Sequence, residues 1–308
     1  MSGMSPNGPT ERRRALRAGL ASSAIQRYVG AFTPLSARLV AEAGFEGVYV
    51  SGSVLAAERC LPDIGLTTAT EVADRAGQVA LATDLPTLVD ADTGFGEPAN
   101  AARTVRSLEH AGLTGCHLED QVNPKRCGHL DGKEVVPTDV MVRRLRAAVH
   151  GRTDPEFVIC ARTDARAMEG FDAALARAKA YVDAGADLIF PEALRDLAEF
   201  EAFARAVDVP VLANMTEFGQ SALFTARQLE DAGVAMVIYP VTLQRLAMGA
   251  IEHGLAVMAL EGTQEPLVPR MQTRARLYEV LRYADYSRFD ASLFDFTIPS
   301  HRDQQEQS

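Results

Sequence analysis

Short apolar runs, each ended by a polar residue, alternate along this chain with longer stretches rich in Ala, Leu and charge. The runs at 27–32, 47–50, 87–89, 115–118, 157–161, 187–190, 210–213 and 234–239 read as eight strands. They are continuously hydrophobic rather than alternating, as strands of a parallel sheet are when helices cover both faces. Four of the stretches between them end in Ala43-Gly44, Ala111-Gly112, Ala184-Gly185 and Asp231-Ala232-Gly233, where glycine suits the left-handed residue just past a helix. Eight such units predict an α/β fold of the (β/α)8 TIM-barrel type. A doubly wound open sheet is the alternative, and the first strand-to-helix junction lacks the G-x-G-x-x-G that often marks it. Residues 243–259 and 273–286 predict two helices after the last strand. Residues 1–24, helical in pattern only over 11–20, read as a partly flexible N-terminal extension. Residues 25–290 read as the barrel with its C-terminal helices, and 291–308 as a tail.

Composition narrows the class. At 308 residues, 47% hydrophobic and 23% charged, the chain is long enough for one large α/β domain and too apolar for disorder. Thirty-one Lys and Arg against 41 Asp and Glu give a net charge of −10, which disfavours nonspecific attraction to nucleic acid or anionic membrane. The apolar runs are too short to span a bilayer, so a soluble, cytoplasmic protein is expected. Four cysteines with no C-x-x-C pair make no disulfide framework, so a special cysteine would act chemically.

In a barrel of this kind the chemistry sits at the carboxyl ends of the strands. Those ends read Tyr49-Val50-Ser51-Gly52-Ser53, Asp90-Ala91-Asp92, Glu119-Asp120-Gln121, Arg162-Thr163-Asp164, Pro191-Glu192 and Asn214-Met215-Thr216-Glu217, with Arg245 after the eighth strand. Asp90 and Asp92 are two apart, so a continuing strand would point both to one face, where a cation would relieve their repulsion. Oxygen ligands without nearby His or Cys favour Mg2+, with Mn2+ as its substitute, and Glu119 is placed to complete such a site. The same D-x-D pattern also suits a solvated turn. In Lys125-Arg126-Cys127-Gly128-His129 a thiol beside cations can have its pKa lowered from ~8.5 toward neutrality, making it an acid, base or nucleophile. The plainer reading of Cys127 is a surface thiol in a basic loop. Cys116 and Cys160 lie inside apolar runs and read as core residues, and Cys60 carries no assigned role. Arg162, Arg245 and Arg274 offer planar forks to a di- or tricarboxylate, or make ordinary ion pairs. Asn214 and Thr216 can donate to the same ligand.

Together with Leu61-Pro62-Asp63-Ile64-Gly65, these segments resemble the 2-methylisocitrate lyases of the isocitrate lyase and phosphoenolpyruvate mutase superfamily, over about residues 25–290. The resemblance implies a barrel whose last helix is swapped between subunits of a homotetramer. It also implies cleavage of (2S,3R)-2-methylisocitrate to pyruvate and succinate, the closing step of propionate breakdown. Mg2+ would sit on Asp90 and Asp92, Arg162 would stabilise the pyruvate end, and Tyr49 or Glu119 would be the base. Cys127 would protonate the succinate half. Ser51, Gly52, Ser53, Lys125, Gly128, His129, Glu192, Asn214, Thr216, Arg245 and Arg274 would bind the substrate. Ser53 stands where the family often has Gly or Ala, which would narrow the pocket, and Phe190 fits a lining for the extra methyl group. The loop 121–136, holding Cys127, is expected to close over substrate. The nearest rivals are a carboxyphosphonoenolpyruvate-type mutase, an isocitrate lyase and an oxaloacetate hydrolase of the same superfamily.

Overall fold

Eight parallel strands form one sheet in the structure, a computed structural model that describes residues 8–126, 128 and 132–294. They are β1 (Gln26–Gly30), β2 (Gly47–Val50), β3 (Thr87–Asp90), β4 (Gly115–Glu119), β5 (Val158–Thr163), β6 (Leu188–Pro191), β7 (Leu212–Asn214) and β8 (Met236–Tyr239). The order β6-β5-β4-β3-β2-β1-β8-β7 pairs the first strand with the last, which an unrolled sheet of eight sequential units would not do. A single parallel bridge between Ile189 and Val211 joins β6 to β7 and completes the ring. This is the (β/α)8 barrel, and the open-sheet alternative falls.

The helices are α1 (Pro9–Leu20), α2 (Pro34–Glu42), α3 (Gly52–Ala57), α4 (Ala69–Ala80), α5 (Pro98–His110), α6 (Thr138–Gly151), α7 (Phe171–Asp183), α8 (Leu197–Ala206), α9 (Ala226–Asp231), α10 (Thr242–Glu261), α11 (Arg274–Val280) and α12 (Tyr283–Phe294). Local chemistry sets several of their ends. Thr33, Thr68 and Thr225 cap α2, α4 and α9, each accepting from a backbone N–H three residues on. Gly44, Gly112, Gly185 and Gly233 follow their helices at φ of 76°, 88°, 102° and 82°, the left-handed region that glycine enters without a Cβ clash.

Two departures from the sequence reading stand out. Residues 273–286 are not one helix: Arg282 takes φ 56° and separates α11 from α12. Within the segment read as an N-terminal extension, α1 is a packed element. Its Leu16 and Leu20 are buried in the same cluster as the inward-facing Tyr28, Leu88, Val158, Leu188, Leu212 and Met236, so α1 closes the amino-terminal end of the barrel. Gly47 makes room there, because a Cβ on it would stand 2.2 Å from the Tyr28 ring.

A second, larger cluster fills the layer between strands and helices, from Val48 and Val50 through Val89, Leu118 and Ile159 to Ile189 and Val237. Interior and layer together fix the strand ends rigidly, which is what a precise site requires. By contrast α10 has no buried residue, and its Leu246, Ile251, Leu255, Met258 and Leu260 are exposed. Among the described residues no helix is long and apolar enough to cross a membrane.

Candidate active site

The carboxyl ends of the strands converge on a cavity of about 70 Å³. Tyr49, Ser51 and Ser53 line it from the end of β2 and the start of α3, Asp90 from β3, and Glu119 from β4. Lys125 and Gly128 reach in from the loop after β4, and Arg162, Phe190 and Glu192 from β5 and β6. Asn214, Thr216 and Arg245 complete the wall.

The aspartate pair meets in a turn, not along a strand. β3 ends at Asp90, and Asp92 takes φ 46°, so its backbone N–H donates to Asp90 Oδ1 at 3.0 Å. Gly52 explains how both carboxylates fit: its N–H donates to Asp90 Oδ2 at 3.2 Å, and a Cβ there would lie 2.9 Å from Asp90 Oδ2 and 3.2 Å from Asp92 Oδ1. Burial, followed by the charge of Asp90, pushes the Asp92 carboxyl up to about 6. Lys125 Nζ lies 2.8 Å from Asp92 Oδ1 and also pairs with Asp63. Burial opposes its charge, but Asp90, Asp92, Glu119 and Asp63 raise the ammonium above its ordinary value, so it stays charged.

Arg162 is the other fixed cation. Its Nε is 2.9 Å from Asp164 Oδ2 and 3.4 Å from Glu119 Oε2, and its Nη2 is 3.1 Å from Glu192 Oε2. The guanidinium also stands 5.1 Å from the Phe190 ring centroid. Asn214 Nδ2 is 3.4 Å from both oxygens of Glu192. Arg245 is drawn toward the rim, where Nη1 meets Glu217 Oε2 at 2.8 Å and the Phe218 ring lies 5.2 Å away.

Beneath this layer, His117 is fully buried inside β4. Its Nε2 is 2.8 Å from Tyr49 Oη, and its ring stacks on Tyr49 and meets Phe190 edge-on. Burial lowers the imidazole pKa and raises that of the Tyr49 phenol well above its ordinary value. Burial likewise raises Glu119, both of whose carboxylate oxygens are buried without a hydrogen bond among the described residues.

Asp63, His117, Lys133 and Asp164 belong to this centre and carried no role in the sequence reading. Asp63 stood in a quoted motif, but its meeting with Lys125, 62 residues away, has no linear signature. His117 hides inside an apolar run. Arg274, at the first turn of α11, is not among the residues lining the cavity, so this chain's own fold does not bring it to the mouth. Cys127 and His129 lie outside the described residues. Cys116 and Cys160 are buried core residues whose thiols burial pushes up, and Cys60 is exposed.

The donor set fits a divalent cation. Among the described residues Asp63, Asp90, Asp92, Glu119, Asp164 and Glu192 meet the buried cations Lys125, Lys133 and Arg162, and Glu119 has oxygens with no hydrogen bond. Among the described residues no three Asp, Glu, His or Cys side chains form a cage by themselves. A cage suits Zn2+ or Ca2+, whereas Mg2+ takes one or two carboxylates and fills its shell with water and substrate oxygens.

A parallel barrel whose charged side chains converge at the carboxyl ends of its strands has the build of a TIM-barrel enzyme. Comparison with known proteins agrees. The phosphoenolpyruvate phosphomutase family is matched over residues 16–259. The chain is 64% identical to the probable 2-methylisocitrate lyase 2 of Corynebacterium glutamicum, covering 96% of each chain. It is 47% identical to the 2-methylisocitrate lyase of Escherichia coli, covering 91% of this chain and 96% of that one. An oxaloacetate acetylhydrolase in complex with 3,3-difluorooxalacetate superposes with a TM-score of 0.86 at 31% identity, covering 95% of this chain and 100% of that one. A phosphonopyruvate hydrolase in complex with oxalate and Mg2+ gives 0.82 at 27% identity, covering 91% and 98%. The chain belongs to the phosphoenolpyruvate phosphomutase family and, within it, to the 2-methylisocitrate lyases.

Proposed function

We propose that this enzyme cleaves the C2–C3 bond of (2S,3R)-2-methylisocitrate to give pyruvate and succinate. The observation that carries the reading is the convergence of the Asp90–Asp92 pair and the buried Arg162 at one mouth, with Lys125 of the following loop paired to Asp92 and Gly128 packed against Arg162. A carbon–carbon lyase must remove a hydroxyl proton, polarise the forming ketone and protonate the carbon left with the electron pair.

Asp90 and Asp92 would hold Mg2+, which when bound supplies Lewis-acid polarisation of the hydroxyl and carboxylate that become pyruvate. Arg162, its charge secured by Asp164 and Glu192, binds the carboxylate at the same end. Glu119, buried and without a hydrogen bond among the described residues, or Tyr49, held by His117, takes the hydroxyl proton. As the hydroxyl proton leaves, the C2–C3 electron pair moves onto C3, where the adjacent carboxylate stabilises it as the aci form, and Cys127 delivers a proton to that carbon. Ser51, Gly52, Ser53, Lys125, Gly128, His129, Glu192, Asn214, Thr216 and Arg245 bind the remaining carboxylates. Arg274 takes part through assembly, where a neighbouring subunit brings the C-terminal helices to the mouth.

Phe190, buried beside Arg162, walls the pocket where the extra methyl group sits, and Ser53 narrows it. A cavity of about 70 Å³ is far below the ~300 Å³ of ordinary ligand pockets, which supports a rearrangement of the segments carrying Lys125 and Lys133 as substrate enters. The exposed apolar residues of α10 to α12 support a homotetramer, and the reading places the enzyme in the cytoplasm. The test is direct: purified protein with Mg2+ releases pyruvate and succinate from 2-methylisocitrate, and EDTA stops it. Rearrangement of a phosphonate with no pyruvate from methylisocitrate would replace this reading with the mutase.

A further inference from the structure

Lys133 lies on the return limb of the loop after β4, beyond every strand end, yet only 2% of its side chain is exposed. Its Nζ donates to Asp164 Oδ1 at 2.9 Å and to the carbonyl oxygen of Gly128. Asp164 in turn grips Arg162 with both oxygens, Oδ2 to Nε at 2.9 Å and Oδ1 to Nη2 at 3.1 Å. Its backbone N–H donates to Asp120 Oδ1 at 2.9 Å. One ammonium thus joins the loop backbone to the same carboxylate that sets the plane of Arg162.

The loop's neck is already tied to the barrel, since Val122 N donates to Glu134 O and Val136 N to Asp120 O, each at 2.8 Å. Those bonds fix where the loop begins and ends. Gly128 lies between those ends and so close to Arg162 that a Cβ would stand 2.2 Å from Nη2. A buried ammonium needs its donors matched, and Lys133 finds a carbonyl on one segment and a carboxylate on another.

We propose that Lys133 is a positioning residue of the lyase reaction, clamping the Gly128 backbone against the Asp164–Arg162 pair. It touches no substrate atom. Gly128 is bonded in the chain to Cys127 and His129, so restraining its carbonyl limits where the backbone bearing the proton donor can run. The inference rests on the assignment of Arg162 and Cys127 made above, and it goes further by giving the loop a specific anchor. Misplacement of a reacting group by about 1 Å costs on the order of 10²-fold in rate, which sets the size of the effect.

The experiment compares wild type with Lys133→Met, Lys133→Gln and Lys133→Arg as full-length proteins with Mg2+. For Lys133→Met, kcat falls about 10²-fold while KM changes less than about 5-fold, because the Asp90, Asp92 and Arg162 end still binds substrate. The solvent deuterium effect on kcat grows as proton delivery becomes limiting. Trypsin cleavage within 121–136 is no longer slowed by substrate, and Lys133→Arg, which keeps the charge, recovers part of the rate. Should Lys133→Met fail to fold, Lys133→Gln carries the same comparisons. A kcat within about 3-fold of wild type in the folded variant overturns the proposal. So does a fall in kcat that leaves the isotope effect and proteolytic protection unchanged. If wild type itself fails to cleave methylisocitrate, the functional assignment falls, whereas loss of protection against trypsin by succinate would still report the clamp.

Discussion

Both ends of the barrel bury arginines, and they do so in opposite company. At the closed end Arg12 donates to the carbonyls of Ala80, Thr83 and Gly112, and Arg13 to those of Leu113 and Glu109 at 3.1 and 2.7 Å, with Asp154 at 2.7 Å. At the open end Arg162 is set among Asp164, Glu192 and Glu119. Backbone carbonyls carry no net charge, so they tie α1 to the loops beneath the strands without piling up like charges. Among the described residues the mouth instead holds more buried carboxylates than cations and leaves Glu119 without a hydrogen bond. At the closed end Arg12 Nε and Tyr28 Oη find no partner among the described residues, yet the remaining guanidinium donors are met by carbonyls, and the contacts give stability. The other end is left short of positive charge and donors, a shortage that the proposed Mg2+ and substrate would meet.

If this contrast is right, changes at the mouth remove turnover and spare the fold, while changes at the base do the reverse. The largest effect is expected for Cys127→Ser: kcat falls about 10³-fold or more with an unchanged thermal melt, as steady-state kinetics and circular dichroism would show. Wild-type turnover in that variant would dismiss the thiol as proton donor. Asp92→Asn comes next, lowering kcat about 10²-fold and raising the Mg2+ concentration for half-activity, read from a metal titration of the EDTA-stripped enzyme.

At the base, Arg12→Met leaves three buried carbonyls without their donor and costs about 3 kcal/mol of unfolding free energy, a factor of ~150 in the folding equilibrium. The folded fraction keeps its kcat, so urea midpoint and specific activity should separate cleanly. A parallel loss of kcat would mean that the two ends are coupled.

The smallest effect concerns acid. Burial pushes the Asp154 carboxyl up, but bonds from Arg13, the Glu156 backbone and Thr10 hold it below its ordinary value. Its stabilisation is therefore complete above the unfolded pKa of ~3.9 and lost as pH falls through the folded one. The stability gap between wild type and Asp154→Asn, less than about 1 kcal/mol for a pair near the surface, should be present at pH 6 and shrink below pH ~4. A gap that widened in acid would reverse this sign.

Much of the architecture could be read without coordinates. The apolar run at 47–50 coincides with β2, and those at 115–118 and 187–190 fall within one residue of β4 and β6. The strand-end polar residues Tyr49, Asp90, Glu119, Arg162, Glu192 and Asn214 do meet in one cavity. What escaped the reading has identifiable causes. His117 sits in a strand that looks uniformly apolar, because its imidazole is neutral and buried against Tyr49 and Phe190. Lys133 is neither at a strand end nor in a helix register, so only its contacts reveal it. The predicted helix over 273–286 breaks at Arg282, a left-handed residue that no glycine announced.

The barrel and the residues offered at its mouth are legible in the chain's local pattern. Hydrophobic continuity, helix caps and C′ glycines act over a few residues, so they are written locally. How those residues pair is set by folding. Asp90 and Asp92 converge through a left-handed turn rather than a straight strand, Lys125 reaches Asp63, and Lys133 joins Gly128 to Asp164. The balance of charge, desolvation and hydrogen bonding at the mouth depends on distances between groups brought together by folding, and spacing along the chain does not encode those distances.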